Sequence, residues 1–254
     1  MHYVLNQHFP DFHYLCGMDE KMRGVTTVFI DIDDTLWWFT ENSKVALRHV
    51  YDEFALHTLC AYEQFRDVYV KRNHELWQQY HHGLIDKQFL IDERFRYTLA
   101  QCGYAGDAQA LCHAINEEYL RYLALQPLTL PGARELLEYL VAKGYQVNTL
   151  SNGFAGTQQQ KLMSGGLHHL IRHNVLSDDC GINKPHPGIF AYALEQCGAT
   201  AATSVMIGDN PDADIKGAHQ AGWRTIYFNI RGEDPEDGTA DAVVSTLEEI
   251  MHIL

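Results

Sequence analysis

The sequence predicts an α/β protein in which a doubly wound parallel sheet is joined to a bundle of about four helices. Three observations support this prediction. From Pro131 onward, helical segments alternate with short apolar runs. Between Ser43 and Leu125, apolar residues recur at helical spacing. All but one of the seven prolines lie at or after Pro127, which marks two kinds of architecture along the chain.

The first strand is predicted at Val28–Ile30, directly before three carboxylates, Asp31, Asp33 and Asp34. Like charges at the end of a buried strand repel each other and cost desolvation energy. A helix N-cap would explain one of the carboxylates, whereas a divalent cation such as Mg²⁺ would explain several. This stretch alone leaves both interpretations open.

The middle of the chain has a helical pattern. Phe65, Tyr69, Leu76 and Tyr80 share one face of a predicted helix, and turn signals occur near His82–Gly83 and between Gly103 and Gly106. By this periodicity we predict a bundle of about four helices.

The C-terminal half repeats the order helix, glycine, strand. The pairs are ARELLEYLVAKG before YQVNTLS, QQKLMSGG and LHHLIRH before NVLS, GIFAYALEQCG before SVMIGD, and ADIKGAHQAG before WRTIYFN. Ligands of such sheets bind beyond the carboxyl ends of the strands. The predicted strands end at Asp31, Ser151 and Gly208–Asp209, so these polar groups are expected at one edge.

Composition limits the class of protein. With 254 residues, 46% of them apolar, the chain is long enough for a full core. A formal charge of −14 and the lack of a basic tract argue against a nucleic-acid polymer as partner. The six cysteines have no zinc-site spacing, so we expect free thiols and a cytoplasmic protein. Residues 1–24 lack the pattern of a signal peptide, and no stretch predicts a membrane span.

Four motifs follow the predicted strands in order. They are D-x-D-x-T at Asp31, Asp33 and Thr35, the hydroxyl of Ser151, Lys184 in GINKPHPGIF, and G-D-x-x-x-x-D at Gly208, Asp209 and Asp214. Together they resemble the haloacid dehalogenase superfamily of phosphohydrolases. The resemblance implies a Rossmann-like core (residues 25–40 and 127–254), a helical cap (41–126) and an N-terminal extension (1–24).

The motif residues also suit phosphoryl transfer chemically. Asp31 is the expected nucleophile, and Asp33 is the expected general acid and base. Charge on the phosphoryl oxygens would be met by Lys184, the Ser151 hydroxyl, backbone N–H groups around Asn152–Gly153 and Mg²⁺.

The resemblance implies that Mg²⁺ binds the Asp31 carboxylate, the Asp33 backbone carbonyl and Asp209, with Asp214 holding Lys184 or a metal-bound water. Structural roles stay open for three of these groups. Ser151 could cap a helix through Gln158. Lys184 could be a solvated loop residue, and Asp214 could be the N-cap of the helix that it precedes. Asp34 and Asp212 are expected to be structural or peripheral.

Within the superfamily the chain resembles the cytoplasmic 5′-nucleotidases that act on small nucleoside monophosphates, including pyrimidine ones. The matching stretches are SNGFAGTQQQKL, GINKPHPGIFAYALEQCG, RNHELWQQYHHGLI and Arg94–Phe95. The fourth motif departs from the pattern at Pro211 and Asp212. Asn73, Trp77, Arg94 and Trp37 or Trp38 are candidates for substrate contact, with packing of the cap and its hinge as the alternative role.

Several functions compete with a nucleotidase. Asp33 argues against a haloacid dehalogenase, because that branch lacks the second aspartate. A sugar-phosphate phosphatase or a phosphomutase would use the same core, and a non-catalytic binding module would share the fold. The expected partner is a small phosphorylated metabolite, with no nucleic-acid polymer and no membrane, and the sequence carries no prediction of oligomeric state.

Overall fold

The computed structural model describes residues 21–232 and 238–254, so most of the predicted N-terminal extension, residues 1–20, lies outside the described residues. Within them the strands form one parallel sheet in the order β3-β2-β1-β4-β5-β6. The strands are β1 (Thr27–Ile30), β2 (Gln146–Ser151), β3 (His173–Leu176), β4 (Ser204–Gly208), β5 (Arg224–Phe228) and β6 (Ala242–Val244). This Rossmann-like sheet confirms the predicted fold class.

Helices form both the cap and the covering layers of the sheet. The cap is inserted after β1 and consists of α1 (Phe39–Glu53), α2 (Tyr62–His81), α3 (Lys87–Gln101) and α4 (Gln109–Ala124). The helices around the sheet are α5 (Ala133–Ala142), α6 (Ala155–Ser164), α7 (Ser177–Cys180), α8 (Pro187–Cys197), α9 (Gly217–Gln220) and α10 (Leu247–Ile250).

Strand β1 lies at the centre of the sheet and is buried on both faces. Val28 and Ile30 join one apolar cluster, and Phe29 joins a second cluster together with Phe190 and Trp223. Successive side chains of a strand point to opposite faces, so helices must cover both sides of β1. This is why the central strand has a continuous apolar sequence.

The register of the sheet brings the predicted polar groups together. Ile30 pairs with Thr149 of β2 and with Ile207 of β4. All three strands run in the same direction, so the residues that follow these pairs collect at one edge. The sheet thereby positions Asp31, Ser151 and Asp209 beside one another.

Aromatic side chains form the centre of the cap. The rings of Tyr69 and Phe95 lie 4.7 Å apart between centroids, and Tyr119 meets Phe95 edge-on at 5.5 Å. These residues belong to the same apolar cluster as Val28 and Ile30 of the sheet. The cap and the sheet therefore share one continuous core.

The segment after β4 differs from the prediction of a regular helix. It begins as a π-helical turn, Pro211–Lys216, and only then becomes the four-residue helix α9. The Asn210 side chain accepts from the backbone N–H groups of Asp212 (3.1 Å) and Ala213 (2.9 Å). The backbone N–H of Ile215 reaches back five residues to the Asn210 carbonyl at 3.4 Å, which makes this turn wider than an α-helical one.

In the described part of the chain, no helix combines the length and the apolar character that crossing a membrane requires. The cysteines in that part, Cys60, Cys102, Cys112, Cys180 and Cys197, are free thiols.

Candidate active site

Three carboxylates meet beyond the ends of β1 and β4. One oxygen each of Asp31, Asp209 and Asp214 lies within 4.8 Å of the others, and all three residues are buried. Burial raises the pKa of Asp31 to about 7, against the opposing effect of the Lys184 ammonium. Burial and the neighbouring carboxylates of Asp31 and Asp214 also raise the pKa of Asp209 well above its ordinary value.

This donor set suits a hard divalent cation. Mg²⁺ prefers carboxylate and carbonyl oxygens and needs only one or two carboxylates from the protein. Burial and the neighbouring carboxylates raise the pKa values of Asp31 and Asp209, so their ionised forms are costly in this site. A cation between them would lower that electrostatic cost, so the residues fit the predicted metal.

Lys184 is buried at the centre of the cluster and is not a solvated loop residue. Its Nζ donates to Asp31 Oδ1 (2.7 Å), to Asp214 Oδ1 (2.6 Å) and to the carbonyl of Leu150 (2.6 Å). Burial lowers the pKa of Lys184, but the two carboxylates outweigh that effect and the net pKa rises. The ammonium is therefore charged beside the predicted nucleophile.

Asn152 anchors the loop that carries Lys184. Its amide nitrogen donates to the Lys184 carbonyl at 2.8 Å, and its amide oxygen accepts from the Lys184 N–H at 2.7 Å. This reciprocal pair places Lys184 against the end of β2. The Asn152 side chain thus positions the lysine, while its predicted contribution to substrate binding is through the backbone.

Ser151 ends β2 and faces the site. Its Oγ accepts from the Gly153 N–H (3.2 Å) and from Gln158 Nε2 (2.6 Å), so the predicted contact with Gln158 exists. A Cβ atom on Gly153 would clash with Nε2 of Gln158. Only glycine leaves room there for the glutamine to reach the strand end.

Asp33 has a partner that sequence reasoning missed. Lys161 Nζ donates to both carboxylate oxygens of Asp33, at 2.6 and 2.9 Å, and Gln158 Nε2 donates to Oδ2 at 2.9 Å. Both partners lie on α6, three residues apart and therefore on one helical face. The stretch SNGFAGTQQQKL contains this spacing, but the direction of the face depends on how α6 packs.

Asp34 has the structural role that the sequence predicts. Its carboxylate accepts from the backbone N–H of Thr40 (2.8 Å) and from the Thr40 hydroxyl (2.7 Å), which fixes the first turn of α1. Asp212 is peripheral, with Oδ2 3.4 Å from Nε2 of His82 in the cap. Sequence reasoning also missed Arg231, whose Nη2 lies 2.9 Å from Asp209 Oδ2.

A cavity of about 920 Å³ lies between this edge of the sheet and the cap. Asp31, Asp33 and Asp209 line its floor, and cap residues line its upper wall. Among the cap candidates, Asn73, Trp77 and Arg94 all line the cavity, as do Asn152 and Gly153 from the core.

Trp37 does not line this cavity, so its prediction as a substrate contact is corrected. The residue has no exposed surface, and its indole nitrogen donates to the carbonyl of Gln126 at 3.0 Å. Trp37 therefore packs in the hinge between core and cap, the alternative role considered for one of the two tryptophans. Its ring area is used for burial.

The cap wall contains polar groups with few protein partners. Arg94 is buried with only 2% of its surface exposed, its Nε and Nη2 both donate to Asn116 Oδ1, and its guanidinium lies 5.3 Å from the Tyr119 ring centroid. Among the described residues it forms no ion pair with a carboxylate. Asn73 is buried as well, and its Oδ1 has no hydrogen-bond partner in that part of the chain.

Trp77 is half-buried beside these groups. Its ring centroid lies 5.6 Å from that of Phe154, which follows the Asn152–Gly153 turn of the core. His81, one turn further along α2, also lines the cavity. Burial, reinforced by the nearby Lys184 ammonium, lowers the pKa of His81 to about 4, so its ring is neutral near pH 7.

Comparison with known proteins agrees with this geometry. Residues 25–222 match the model of the haloacid dehalogenase-like hydrolases. The chain belongs to this family. It is accordingly an enzyme of the hydrolase class, and the resemblance to the pyrimidine 5′-nucleotidase branch is confirmed by the relatives below.

Two curated relatives match most of the chain. It is 32% identical to the pyrimidine 5′-nucleotidase YjjG of Escherichia coli, over 89% of this chain and 96% of the relative. It is 31% identical to the pyrimidine 5′-nucleotidase PynA of Streptococcus pneumoniae, over 80% of this chain and 83% of the relative. A magnesium-bound crystal structure of the putative hydrolase YfnB from Bacillus subtilis superposes with a TM-score of 0.80 at 26% identity, covering 91% of this chain and 98% of that one.

Proposed function

We propose that the protein is a Mg²⁺-dependent phosphomonoester hydrolase that acts on nucleoside 5′-monophosphates through an aspartyl phosphate on Asp31. One observation carries this proposal. The Asp31 carboxylate contacts the Lys184 ammonium at 2.7 Å, lies in the carboxylate cluster and opens onto the same cavity as Asp33. A nucleophile, a fixed positive charge and an acid–base group thus face one space.

The chemistry needs two displacements at phosphorus. In the first, an Asp31 oxygen attacks the phosphorus, the ester P–O bond breaks, and Asp33 gives a proton to the departing oxygen. In the second, water attacks the same phosphorus and passes a proton to Asp33. The bond between phosphorus and Asp31 then breaks, and its electron pair returns to the carboxylate.

Fixed charges around Asp31 suit the transferred group. Lys184, the Ser151 hydroxyl and the backbone N–H groups at Asn152–Gly153 would meet the phosphoryl oxygens, where negative charge is spread during transfer. Bound Mg²⁺, held by Asp31, Asp209 and the Asp33 carbonyl, would neutralise further charge there. Asp214 would orient Lys184, with which it shares a 2.6 Å hydrogen bond.

The cap supports nucleotides as substrates. An amide can pair with a base edge, and an indole can stack on a base plane. Arg94 and Asn73 offer a buried donor and a buried acceptor, and Trp77 offers a ring beside them. The pyrimidine 5′-nucleotidase names of two relatives point in the same direction.

We also propose that the chain consists of a core (residues 25–40 and 127–254) and a cap (41–126). In this proposal the cap closes over the phosphate. Free thiols in the described residues are compatible with a reducing compartment, so we place the protein in the cytoplasm.

The test is phosphate release from p-nitrophenyl phosphate, followed by a substrate panel. Hydrolysis is expected with Mg²⁺, none with EDTA, and recovery when excess Mg²⁺ is restored. The panel compares uridine, cytidine and adenosine 5′-monophosphates with glucose 6-phosphate and a triose phosphate. Absence of hydrolysis by folded protein would refute the enzyme, whereas preference for a sugar phosphate, or isomerisation of one, would refute only the substrate class.

A further inference from the structure

Asp33 and Lys161 form an ion pair whose two ends have different surroundings. The lysine side chain is only 4% exposed, whereas the aspartate side chain is 30% exposed at the cavity. Two of the ammonium contacts reach the two oxygens of the same carboxylate, at 2.6 and 2.9 Å. The buried Lys161 side chain therefore holds the more exposed Asp33 carboxylate, and both residues line the cavity.

Lys161 is also held in place on its other side. Its Nζ lies 4.8 Å from the Trp37 ring centroid and 5.4 Å from that of Phe39, both at the start of the cap. Aromatic faces attract a cation at these distances. Within the described residues Asp33 is its anionic partner, so the lysine has little freedom to turn elsewhere.

Gln158 links this pair to the phosphate end of the site. Its Nε2 donates to Asp33 Oδ2 at 2.9 Å and to Ser151 Oγ at 2.6 Å. The carboxylate of Asp33 thus receives donors on both oxygens from two residues of α6. Rotation of that carboxylate about its side-chain bond would break at least one of these contacts.

We propose that Lys161 is a positioning residue that, with Gln158, fixes the direction of the Asp33 carboxylate. This inference rests on the proposed phosphohydrolase activity and concerns how its acid–base group is aimed. Proton transfer requires the acid within hydrogen-bond reach of the departing oxygen, and a misplacement of about 1 Å can cost a hundredfold in rate. Lys161 itself touches neither phosphorus nor leaving group in this role.

Packing alone does not explain why a lysine, and not an apolar residue, occupies position 161. Placing an ammonium in a nearly closed site costs several kcal/mol before pairing, and a hydrophobic residue over Trp37 would avoid that cost. The Lys161 ammonium is useful here because it keeps the Asp33 carboxylate directed into the cavity. A purely structural role would make no distinction between substrates, which gives the proposal a direct test.

The experiment is a double-mutant cycle between Lys161→Met and Asp33→Asn. The specificity constant kcat/KM is measured for phenyl phosphate, which has a poor leaving group, and for p-nitrophenyl phosphate, which has a good one. The two esters have nearly the same shape. Lys161→Met should lower kcat/KM for phenyl phosphate about 10- to 100-fold, with a smaller loss for p-nitrophenyl phosphate. In the Asp33→Asn background, the same change should have an effect of less than about twofold.

Lys143→Met is the matched control, because Lys143 is an exposed lysine whose ammonium also lies over a ring, 5.2 Å from the Tyr139 centroid. It should change neither rate. Lys161→Gln replaces Lys161→Met in the cycle if the methionine variant does not fold.

Three results would overturn the positioning role. They are equal losses with and without Asp33, equal losses on both esters with a lowered Tm, and no loss at all. If the unaltered protein with Mg²⁺ hydrolyses neither ester, the proposed function itself fails. Turnover by the unaltered protein with additive losses in the cycle overturns only the inference about Lys161.

Discussion

The edge of the sheet and the wall of the cap differ in how fully their buried polar groups are paired. At the sheet edge, Lys184 is hydrogen-bonded to Asp31, Asp214 and a backbone carbonyl. In the cap, Arg94 has an amide partner, Asn116, and no ion pair among the described residues, and the Asn73 amide oxygen has no partner there. The Lys184 ammonium has three acceptors within the protein, whereas the Asn73 amide oxygen leaves hydrogen-bonding capacity unused.

The difference teaches how the two regions divide recognition. A phosphoryl group and a cation are the same for every substrate, so the groups that meet them can be fixed in advance by the protein. A buried polar group without a partner costs free energy, and a substrate that supplies the partner recovers it. We therefore expect the cap to be the region that distinguishes substrates.

The largest effect is expected at the sheet edge, from Asp31→Asn. Phosphate release should fall to background, because an amide is a poor nucleophile, while the fold should persist. Since the pKa of Asp31 is raised to about 7, its ionised form opposes folding increasingly as the pH rises from about 4 to 7.

The amide removes that cost, so Tm at pH 8 without Mg²⁺ should be unchanged or higher. Thermal melts and phosphate assays on the same preparation check both points. Substantial activity in folded Asp31→Asn protein would remove Asp31 from the mechanism and end the comparison.

Asp33→Asn should have the next largest effect, a loss of about 10²–10⁴-fold on nucleoside monophosphates. The loss should shrink for p-nitrophenyl phosphate, because its leaving group departs without help from an acid. Steady-state kinetics on the two substrates give the measurement. Equal losses on both would count against the acid role.

Cap substitutions should have smaller effects on activity than substitutions at the sheet edge. Asn73→Ala and Trp77→Ala should lower kcat/KM for nucleoside monophosphates and leave p-nitrophenyl phosphate hydrolysis nearly unchanged. Where a stacked base is lost, the binding free energy lost is about 1–3 kcal/mol. Gln101→Ala removes an exposed cap amide outside the cavity and serves as the control. Parallel losses on both substrates with a lower Tm would mean that these residues only hold the cap together.

The smallest effect is expected on the outer surface of the cap, at Glu118. Hydrogen bonds from Arg121 and then His49 lower the pKa of Glu118 to about 2. A depressed carboxyl pKa adds stability above about pH 4.5 and loses it as the pH falls toward 2. Glu118→Gln should therefore reduce the free energy of unfolding at pH 7 by about 0.5–1 kcal/mol, without loss of activity.

Urea unfolding at pH 7 and near pH 2.5 measures this contribution, and the difference from the unaltered protein should diminish at the lower pH. Glu117→Gln, at a more exposed neighbour, is the matched control. A difference of constant size at both pH values would show that the pair does not stabilise the cap through charge.

The sequence by itself determined the fold class and the groups at the sheet edge. Apolar strands followed directly by Asp31, Ser151 and Asp209 were sufficient, because parallel strands bring their carboxyl ends to one edge whatever the details of packing. Lys184 was found through its motif. The helical spacing in the middle of the chain likewise predicted the bundle, since an apolar stripe must be buried against another helix.

Only the tertiary structure decided which side chains approach these groups from other elements. Lys161 reaches Asp33 because α6 turns that face toward the segment after β1, and Arg94 meets Asn116 because α3 and α4 lie side by side. Trp37 turned away from the cavity, and the segment Pro211–Lys216 formed a π-helical turn in place of a regular helix. Local sequence fixes periodicity and strand ends, whereas the rotation and approach of one helix against another depend on the packing of the whole core.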